Sequence, residues 1–209
     1  MRLYLIRHGR QMSRLCNVNV ALDEAGRKQA ALAGERLKHT GIEKIYVSDL
    51  IRARQTAEEA NRFWQVPVEV RPELREISFG DLEGLSDEEI AVRFAGFLQE
   101  QKKMDRDIPY PGGECGKDVV DRALPVFQEI AESGLSQVAV VTHGGVIRCM
   151  TAHMLGMDLA RWRALGSCLE NCGITEFYYH EDTKKFTVER FNDYAHLEAY
   201  PSLLRSNWK

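Results

Sequence analysis

The segment QVAVVTHGG, residues 137–145, is the strongest buried-strand pattern in the chain and decides its fold. A run of apolar residues leads into His143 and two glycines, so a strand buried on both faces ends in an imidazole. The segment LYLIRHG, residues 3–9, repeats this pattern and ends in His8 and a glycine. Ligands of open α/β sheets bind at the carboxyl ends of strands. If the two strands are neighbours, we expect both imidazoles to face one pocket.

Helical patterns alternate with short apolar runs along the chain. This alternation predicts an α/β fold, a three-layer α/β/α sandwich with a mostly parallel central sheet. We expect one domain, residues 1–209, with a small helical cap insertion at about residues 85–117. The predicted strands after the first are residues 44–49, 66–70, 137–142, 173–180 and 185–191, the last two joined by a turn. The predicted helices are residues 24–40, 51–64, 86–104, 118–132 and 146–155.

Three residues mark expected helix boundaries. Asp23 is a suitable N-cap for the first helix, and Gly41 can stop it. Pro125 lies inside the helical pattern at residues 118–132, where proline removes a backbone hydrogen bond. We therefore expect a kink at Pro125, or a helix that begins nearer to it.

Composition narrows the class of protein. The chain has 209 residues, of which 44% are hydrophobic and 28% are charged, with a formal net charge of −3. These values are typical of a globular protein and do not favour nucleic acid as a partner. The apolar run at the N-terminus is too short for a signal peptide, and no stretch has the length of a membrane span. Five cysteines stand at scattered spacings without the repeated pairs of a zinc site, which predicts a reduced, cytoplasmic protein. We expect no cofactor.

A third predicted strand also ends near positive charge. Residues 44–49 run through Ser48 into a helix that carries Arg52 in its first turns. A cation beside a helix N-terminus favours anions. Together with Arg7, His8 and His143, Arg52 would form a cationic pocket suited to a phosphate group.

At this point the chain resembles a known family. The segments LIRHG, SDLIRARQTA, LREISFGDLEG, PGGE, VVTHGG, NCGIT and NDYAHL are similar to the histidine phosphatase superfamily, the phosphoglycerate-mutase-like enzymes, and its phosphatase branch in particular. The match covers nearly the whole chain, and the motifs follow the order of the family.

The resemblance implies a role for each matching residue. His8 would be the nucleophile that becomes a phosphohistidine, and water would then release phosphate. Arg7, Arg52 and His143 would offset the charge of the phosphoryl group, so no metal is needed. Glu76 would be the proton donor, and Glu83 is its rival for that role.

Departures from the family pattern bear on the substrate. Arg10 and Gln11 stand where the family commonly has an acidic residue and a hydroxyl residue. Gln11 can donate an amide N–H to a phosphoryl oxygen, and Arg10 is expected to favour a second anionic group near the mouth of the pocket. Asn17 is a further candidate substrate contact. The glycine at Gly144 would let the backbone approach a ligand closely.

The predicted function is hydrolysis of a small phosphorylated metabolite, with inorganic phosphate as product. The alternatives are phosphoryl transfer of the phosphoglycerate mutase type and a non-catalytic module that binds a phospholigand. Mutases of the family carry a larger insertion, and the compact segment at residues 86–116 argues against that alternative. The sequence leaves the leaving group and the oligomeric state open, with a dimer among the possibilities.

Overall fold

The computed structural model describes residues 1–207, and in that range six strands form one mixed sheet. The sheet order is β3-β2-β4-β1-β5-β6, in which the first four strands are parallel and β5 and β6 run as an antiparallel pair beside β1. This topology confirms the α/β fold class and the mostly parallel sheet. The strands are β1 (Arg2–Arg7), β2 (Lys44–Val47), β3 (Val68–Val70), β4 (Gln137–Thr142), β5 (Ile174–His180) and β6 (Lys185–Asp193).

Helices cover both faces of the sheet. The α-helices are α1 (Glu24–Arg36), α2 (Ile51–Asn61), α3 (Asp87–Arg93), α4 (Ala95–Lys103), α5 (Gly116–Glu132), α6 (Gly144–Met154) and α7 (Ala195–Glu198). Alternate residues of β1 belong to different clusters: Leu3 and Leu5 pack with side chains of α5 and α6, whereas Tyr4 and Ile6 pack with side chains of α2 and with Leu37, which follows α1. A strand with both faces apolar therefore holds the middle layer between two layers of helices.

Two predicted helices are longer than the structure shows. Asp23 caps α1 as predicted, because its side chain accepts a hydrogen bond from the Gly26 N–H, but α1 ends at Arg36, well before Gly41. The second helix ends at Asn61 and not at residue 64. The Asn61 amide bonds both the N–H and the carbonyl of Val66, each at 3.0 Å, and this contact turns the chain out of the helix.

The cap contains two helices where the sequence predicted one. Phe94 has a φ of −118° and a ψ of 24°, which ends α3 and begins α4. The break lets Phe94 and Phe97 both pack against the core. The Phe97 ring lies 5.3 Å from the ring of Tyr110, so aromatic side chains of this segment pack against one another.

The helix α5 begins earlier than predicted. It starts at Gly116, because the Asp118 carboxylate accepts a hydrogen bond from the Cys115 N–H at 2.9 Å and caps the first turn. The helix then continues past Pro125 to Glu132. The alternative that the helix begins nearer to Pro125 is therefore wrong, and a kink there stays a prediction.

Candidate active site

The two strands that end in histidine are neighbours, as the sequence argument required. Strands β1 and β4 pair in parallel, with Arg7 opposite Thr142, so the next residue of each strand leaves the sheet at the same edge. The ring centroids of His8 and His143 lie 5.1 Å apart. Burial, and next the charge of Arg52, hold the pKa of each imidazole well below 6.5. Both rings are therefore neutral near pH 7.

Hydrogen bonds fix the orientation of His8. Its Nδ1 lies 2.8 Å from the Gly9 carbonyl oxygen. A carbonyl only accepts, so Nδ1 carries the proton and the lone pair is on Nε2. The backbone N–H of His8 donates to the Thr142 carbonyl at 2.9 Å, and the side-chain amide of Asn171 donates to the backbone carbonyl of His8 at 2.8 Å. The lone pair of Nε2 is thus presented in one tautomer and one position.

Thr56 holds the loop after His8, and the sequence analysis missed it. Its hydroxyl accepts from the Gly9 N–H at 2.9 Å and donates to the Arg52 carbonyl at 2.7 Å. Gly9 lies so close to α1 that a Cβ at this position would be 2.5 Å from the Gly26 carbonyl oxygen. The only sequence signal for Thr56 is its position four residues after Arg52 in the same helix.

Arg52 is buried beside the two imidazoles, and Arg7 is half-buried there. Arg7 donates to the Leu169 carbonyl. Burial, followed by the charge of Arg205, lowers the pKa of Arg7 to about 10. Arg52 is 2% exposed and donates to Asn17 Oδ1 at 2.7 Å and to the Val18 carbonyl at 3.1 Å.

Three buried nitrogens around His8 have no hydrogen-bond partner among the residues described. They are Arg7 Nε, Arg52 Nε and His143 Nδ1. The other ring nitrogen of His143 lies 2.8 Å from the Ser48 hydroxyl oxygen. A buried polar group without a partner is costly unless a ligand satisfies it. Two cations and a neutral imidazole together suit the oxygens of an anion.

Glu76 reaches the site because the second glycine after His143 makes room for it. One carboxylate oxygen, Oε1, accepts from the Gly145 N–H and from the Ile77 N–H, each at 2.9 Å. A Cβ on Gly145 would lie 2.3 Å from that oxygen. Arg122 of α5 supports the same loop, because it donates to the Glu76 carbonyl at 3.2 Å.

Glu83, the rival carboxylate, is used differently. It accepts hydrogen bonds from the Phe79 N–H at 3.0 Å and from Asn17 Nδ2 at 2.9 Å. Glu83 is not among the described residues that line the cavity above His8, whereas Glu76 is. The geometry therefore assigns Glu83 to the support of the loops and leaves Glu76 facing the ligand space.

The cavity above His8 has a volume of about 720 Å³. Its apolar lining comes mainly from residues 85–117 and the loop before them, and consists of Phe79, Leu82, Ile90, Leu98 and Tyr110. Its polar lining includes Asn171 and Arg205, whose proximity to His8 the sequence did not reveal. His143 is fully buried and is not among the described lining residues.

The predicted substrate contacts lie at different places. Arg10, Gln11 and Asn17 line the cavity. The Arg10 guanidinium is paired with Asp23 at 2.5 Å, and the Gln11 amide donates to the Ser13 carbonyl at 2.9 Å. Gly144 is buried at the start of α6 and is not among the described lining residues, so its contact with substrate stays a prediction.

Residues 1–207 lack two kinds of feature. No group of three or more His, Cys, Asp or Glu side chains is placed to hold a metal ion there. Over the same residues, none of the helices has the length and apolar character that crossing a membrane requires.

Cys16 lines the cavity, and burial raises the pKa of its thiol to about 12, in keeping with an ordinary wall residue.

Comparison with known proteins agrees with this geometry. A glucosyl-3-phosphoglycerate phosphatase from Mycolicibacterium vanbaalenii is 33% identical over 178 residues, which cover 79% of each chain. A probable phosphoglycerate mutase GpmB from Salmonella paratyphi B is 29% identical over 210 residues and covers 95% of this chain and 96% of its own. The structure of mycobacterial glucosyl-3-phosphoglycerate phosphatase Rv2419c with VO3 superposes with a TM-score of 0.83 at 31% identity, covering 91% of this chain and 98% of the other.

The family model for the histidine phosphatase superfamily (branch 1) matches residues 3–194, which include both histidine strands, the cap and the loop that carries Glu76. On the strength of that match, and of the relatives that share its length, the chain belongs to the histidine phosphatase superfamily.

Proposed function

We propose that the protein is a phosphatase that hydrolyses a small phosphomonoester through a phosphohistidine on His8. The observation that carries the proposal is the lone pair on Nε2 of a neutral, fixed His8, surrounded by the unpartnered nitrogens of Arg7, Arg52 and His143. The phosphatases among the relatives support the same reaction class. Free cysteines at all five positions support the proposed cytoplasmic location.

The first step is transfer of the phosphoryl group to the enzyme. His8 Nε2 attacks phosphorus, and the bond from phosphorus to the leaving oxygen breaks. Glu76 gives its proton to that oxygen, so the leaving group departs as an alcohol. The two arginines and His143 donate to the phosphoryl oxygens as charge shifts among them.

The second step releases phosphate. Water attacks phosphorus and the bond from phosphorus to Nε2 breaks, which returns His8 to its neutral form with the proton still on Nδ1. Glu76, now a carboxylate, takes the proton of the attacking water and is ready for another cycle. Each step therefore moves one proton through the same carboxylate.

A mutase reaction is the second candidate, because the Salmonella relatives are named probable phosphoglycerate mutases. It would pass the phosphoryl group from His8 to a second hydroxyl and not to water. Incubation with 3-phosphoglycerate separates the two reactions: a phosphatase releases inorganic phosphate, whereas a mutase forms 2-phosphoglycerate with little phosphate release.

The test of the proposal follows the phosphoenzyme. Rapid alkaline quench of the wild type during p-nitrophenyl phosphate turnover should trap phosphate on His8 in a linkage that is stable in base and labile in acid. His8→Ala should lose at least about 10³-fold in turnover, as deletion of a covalent nucleophile does. His153→Ala is the matched control, because His153 is exposed on α6 and does not line the cavity. Near-normal turnover in His8→Ala would refute the mechanism. If the wild type neither turned over p-nitrophenyl phosphate nor bound phosphate, the proposal that the protein is a phosphatase would be wrong.

A further inference from the structure

Ser48 lies next to His143 at the edge of the sheet where the site is built. It follows β2, and its backbone N–H donates to the Val141 carbonyl of β4 at 3.0 Å. Strands β2 and β4 pair in parallel, with Val47 opposite Val141, so Ser48 and His143 stand at the carboxyl ends of neighbouring strands. Both residues are fully buried, and Ser48 Oγ lies 2.8 Å from His143 Nε2.

The hydroxyl proton of Ser48 has one acceptor within residues 1–207. Ser48 Oγ itself accepts from the backbone N–H of Leu50 at 3.4 Å, and its other hydrogen bond in that range joins it to His143 Nε2. A hydroxyl group carries one proton and can also accept. The proton of Ser48 therefore points to the imidazole, and Nε2 of His143 accepts it.

The proton of His143 is then on Nδ1. Burial and the charge of Arg52 hold the pKa of His143 well below 6.5, so the ring is neutral and donates from only one nitrogen. Nδ1 is buried, has no partner among the described residues, and belongs to a ring whose centroid is 5.1 Å from that of His8. A proton at Nδ1 is free to reach an oxygen of the phosphoryl group.

The opposite tautomer would be costly at both ends of the ring. If Nε2 carried the proton, Ser48 would accept from it, and the hydroxyl proton would have no acceptor in the described part of the chain. A buried hydroxyl without its hydrogen bond costs stability. Nδ1 would in addition present a lone pair, which repels the oxygens of a phosphoryl group.

We infer that Ser48 is a positioning residue that keeps the proton of His143 on Nδ1, so that the imidazole donates to the phosphoryl group. This inference rests on the proposed phosphatase function. Ser48 is not among the described residues that line the cavity, so it acts through His143 and not on the substrate. The hydrogen bond of one ring nitrogen sets which nitrogen carries the proton, and a neutral imidazole can stabilise developing negative charge on an oxygen.

The two histidines of the site then share a tautomer but use different nitrogens. His8 is fixed by a carbonyl at Nδ1 and presents the lone pair of Nε2 to phosphorus. His143 is fixed by a hydroxyl at Nε2 and presents the proton of Nδ1 to oxygen. The partner behind each ring thus decides whether that ring attacks or donates.

The first measurement reads the tautomer directly. Long-range ¹H–¹⁵N correlation spectra distinguish a protonated ring nitrogen from one that has a lone pair, and are recorded at about pH 7.5, where both rings are neutral. The chain has six histidines, and the signals absent from His143→Ala identify His143. The wild type should show the proton on Nδ1, and Ser48→Ala should show at least part of it on Nε2. These spectra are recorded without substrate.

The second measurement is a double-mutant cycle with p-nitrophenyl phosphate. Ser48→Ala should reduce kcat/KM by about tenfold or more, because it misdirects one donor to the developing oxyanion. In the His143→Ala background the same substitution should cost less than about threefold, since Ser48 then has nothing to act through. A residue that only supports the fold would cost the same in both backgrounds.

Thr151→Val is the matched control, because it removes a different buried hydroxyl at similar volume. Thr151 donates to the Ile147 carbonyl of its own helix at 2.7 Å and is not among the described residues that line the cavity. We expect kcat/KM to stay within about threefold of the wild type. Circular dichroism and the Tm establish that each variant is folded.

Four results would overturn the inference. They are a proton on Nε2 of His143 in the wild type, an unchanged tautomer in Ser48→Ala, an unchanged kcat/KM in Ser48→Ala, and an equal loss in the two backgrounds. The spectrum of the wild type decides the question if a variant does not fold. Failure of the phosphatase proposal shows separately, as no turnover by the wild type or normal turnover by His8→Ala.

Discussion

Asn17 Oδ1 accepts a hydrogen bond of 2.7 Å from the guanidinium of Arg52. The other atom of the same amide, Nδ2, donates to Glu83 at 2.9 Å. Glu83 thereby fixes which way the amide faces, and the amide fixes one end of Arg52. A carboxylate that does not line the cavity thus helps to position Arg52, the cation proposed to bind the phosphoryl group.

Removal of this amide should misplace Arg52. Asn17 has a φ of +47°, so Asn17→Gly removes the side chain without backbone strain. We expect kcat/KM to fall by about tenfold or more, as loss of a hydrogen bond to a charged group does. Steady-state kinetics with p-nitrophenyl phosphate measures the loss, and an unchanged kcat/KM would show that Arg52 is positioned without Asn17.

The identity of the general acid predicts a dependence on the leaving group. An alkoxide needs a proton to leave and p-nitrophenolate does not, so Glu76→Gln should slow phosphoryl transfer from alkyl phosphates by roughly 10²–10⁴-fold and from p-nitrophenyl phosphate far less. Single-turnover quench isolates this step from release of phosphate. Glu83→Gln is the matched control. If the leaving-group dependence appears in Glu83→Gln and not in Glu76→Gln, Glu76 is not the general acid.

The contact between Gly145 and Glu76 predicts that alanine is tolerated at Gly144 but not at Gly145. An added Cβ would lie 2.3 Å from Glu76 Oε1 at Gly145, but 3.6 Å from Arg7 Nε at Gly144. Gly145→Ala should therefore displace the carboxylate and reduce turnover of alkyl phosphates by roughly 10²-fold, with a much smaller loss in Gly144→Ala. Parallel assays of alkyl phosphate turnover by the two variants test this prediction. A greater loss in Gly144→Ala than in Gly145→Ala would contradict it.

Burial of the two imidazoles predicts how stability varies with pH. The pKa of His8 and of His143 is held well below 6.5 in the folded protein. Below pH 6.5 the unfolded chain therefore binds more protons than the folded one, and these groups make stability fall as the pH falls. Urea denaturation at about pH 7.5 and about pH 5.5 should show a smaller loss in His143→Gln than in the wild type. Equal losses in the two proteins would contradict this explanation.

Activity should survive an excess of EDTA, because arginines supply the positive charge that phosphoryl transfer requires. The measurement is turnover of p-nitrophenyl phosphate after dialysis against the chelator. Complete loss, restored by Mg²⁺ or Zn²⁺, would contradict the mechanism.

Local sequence patterns were sufficient for the parts of the site that lie on strands. The apolar runs before His8 and His143 predicted two buried strands, and their glycines predicted a ligand edge; the register of β1 and β4 confirms that the histidines are adjacent. The resemblance ranked Glu76 above Glu83 as proton donor, and the structure adds a difference that local sequence does not carry, because only Glu76 is among the described residues that line the cavity.

Other features depend on tertiary packing that leaves little trace in the sequence. Arg205 follows a short run without recognisable periodicity, and its place in the cavity comes from the buried contact between Gln29 and Leu203. The break at Phe94 arises because two aromatic side chains reach the core from one cap segment. A periodicity argument averages over such a break and predicts one helix.

The position of β1 inside the sheet also bears on how the protein acquires its activity during synthesis. This first strand lies between β4 and β5, which begin at Gln137 and Ile174. Strand β1 therefore pairs only after partners far later in the chain have been synthesised, and contacts so distant in sequence form slowly. Residues 3–9 leave the ribosomal exit tunnel before β4 and β5 do and stay unpaired until both strands emerge, so the site around His8 can form only after β5 has been synthesised.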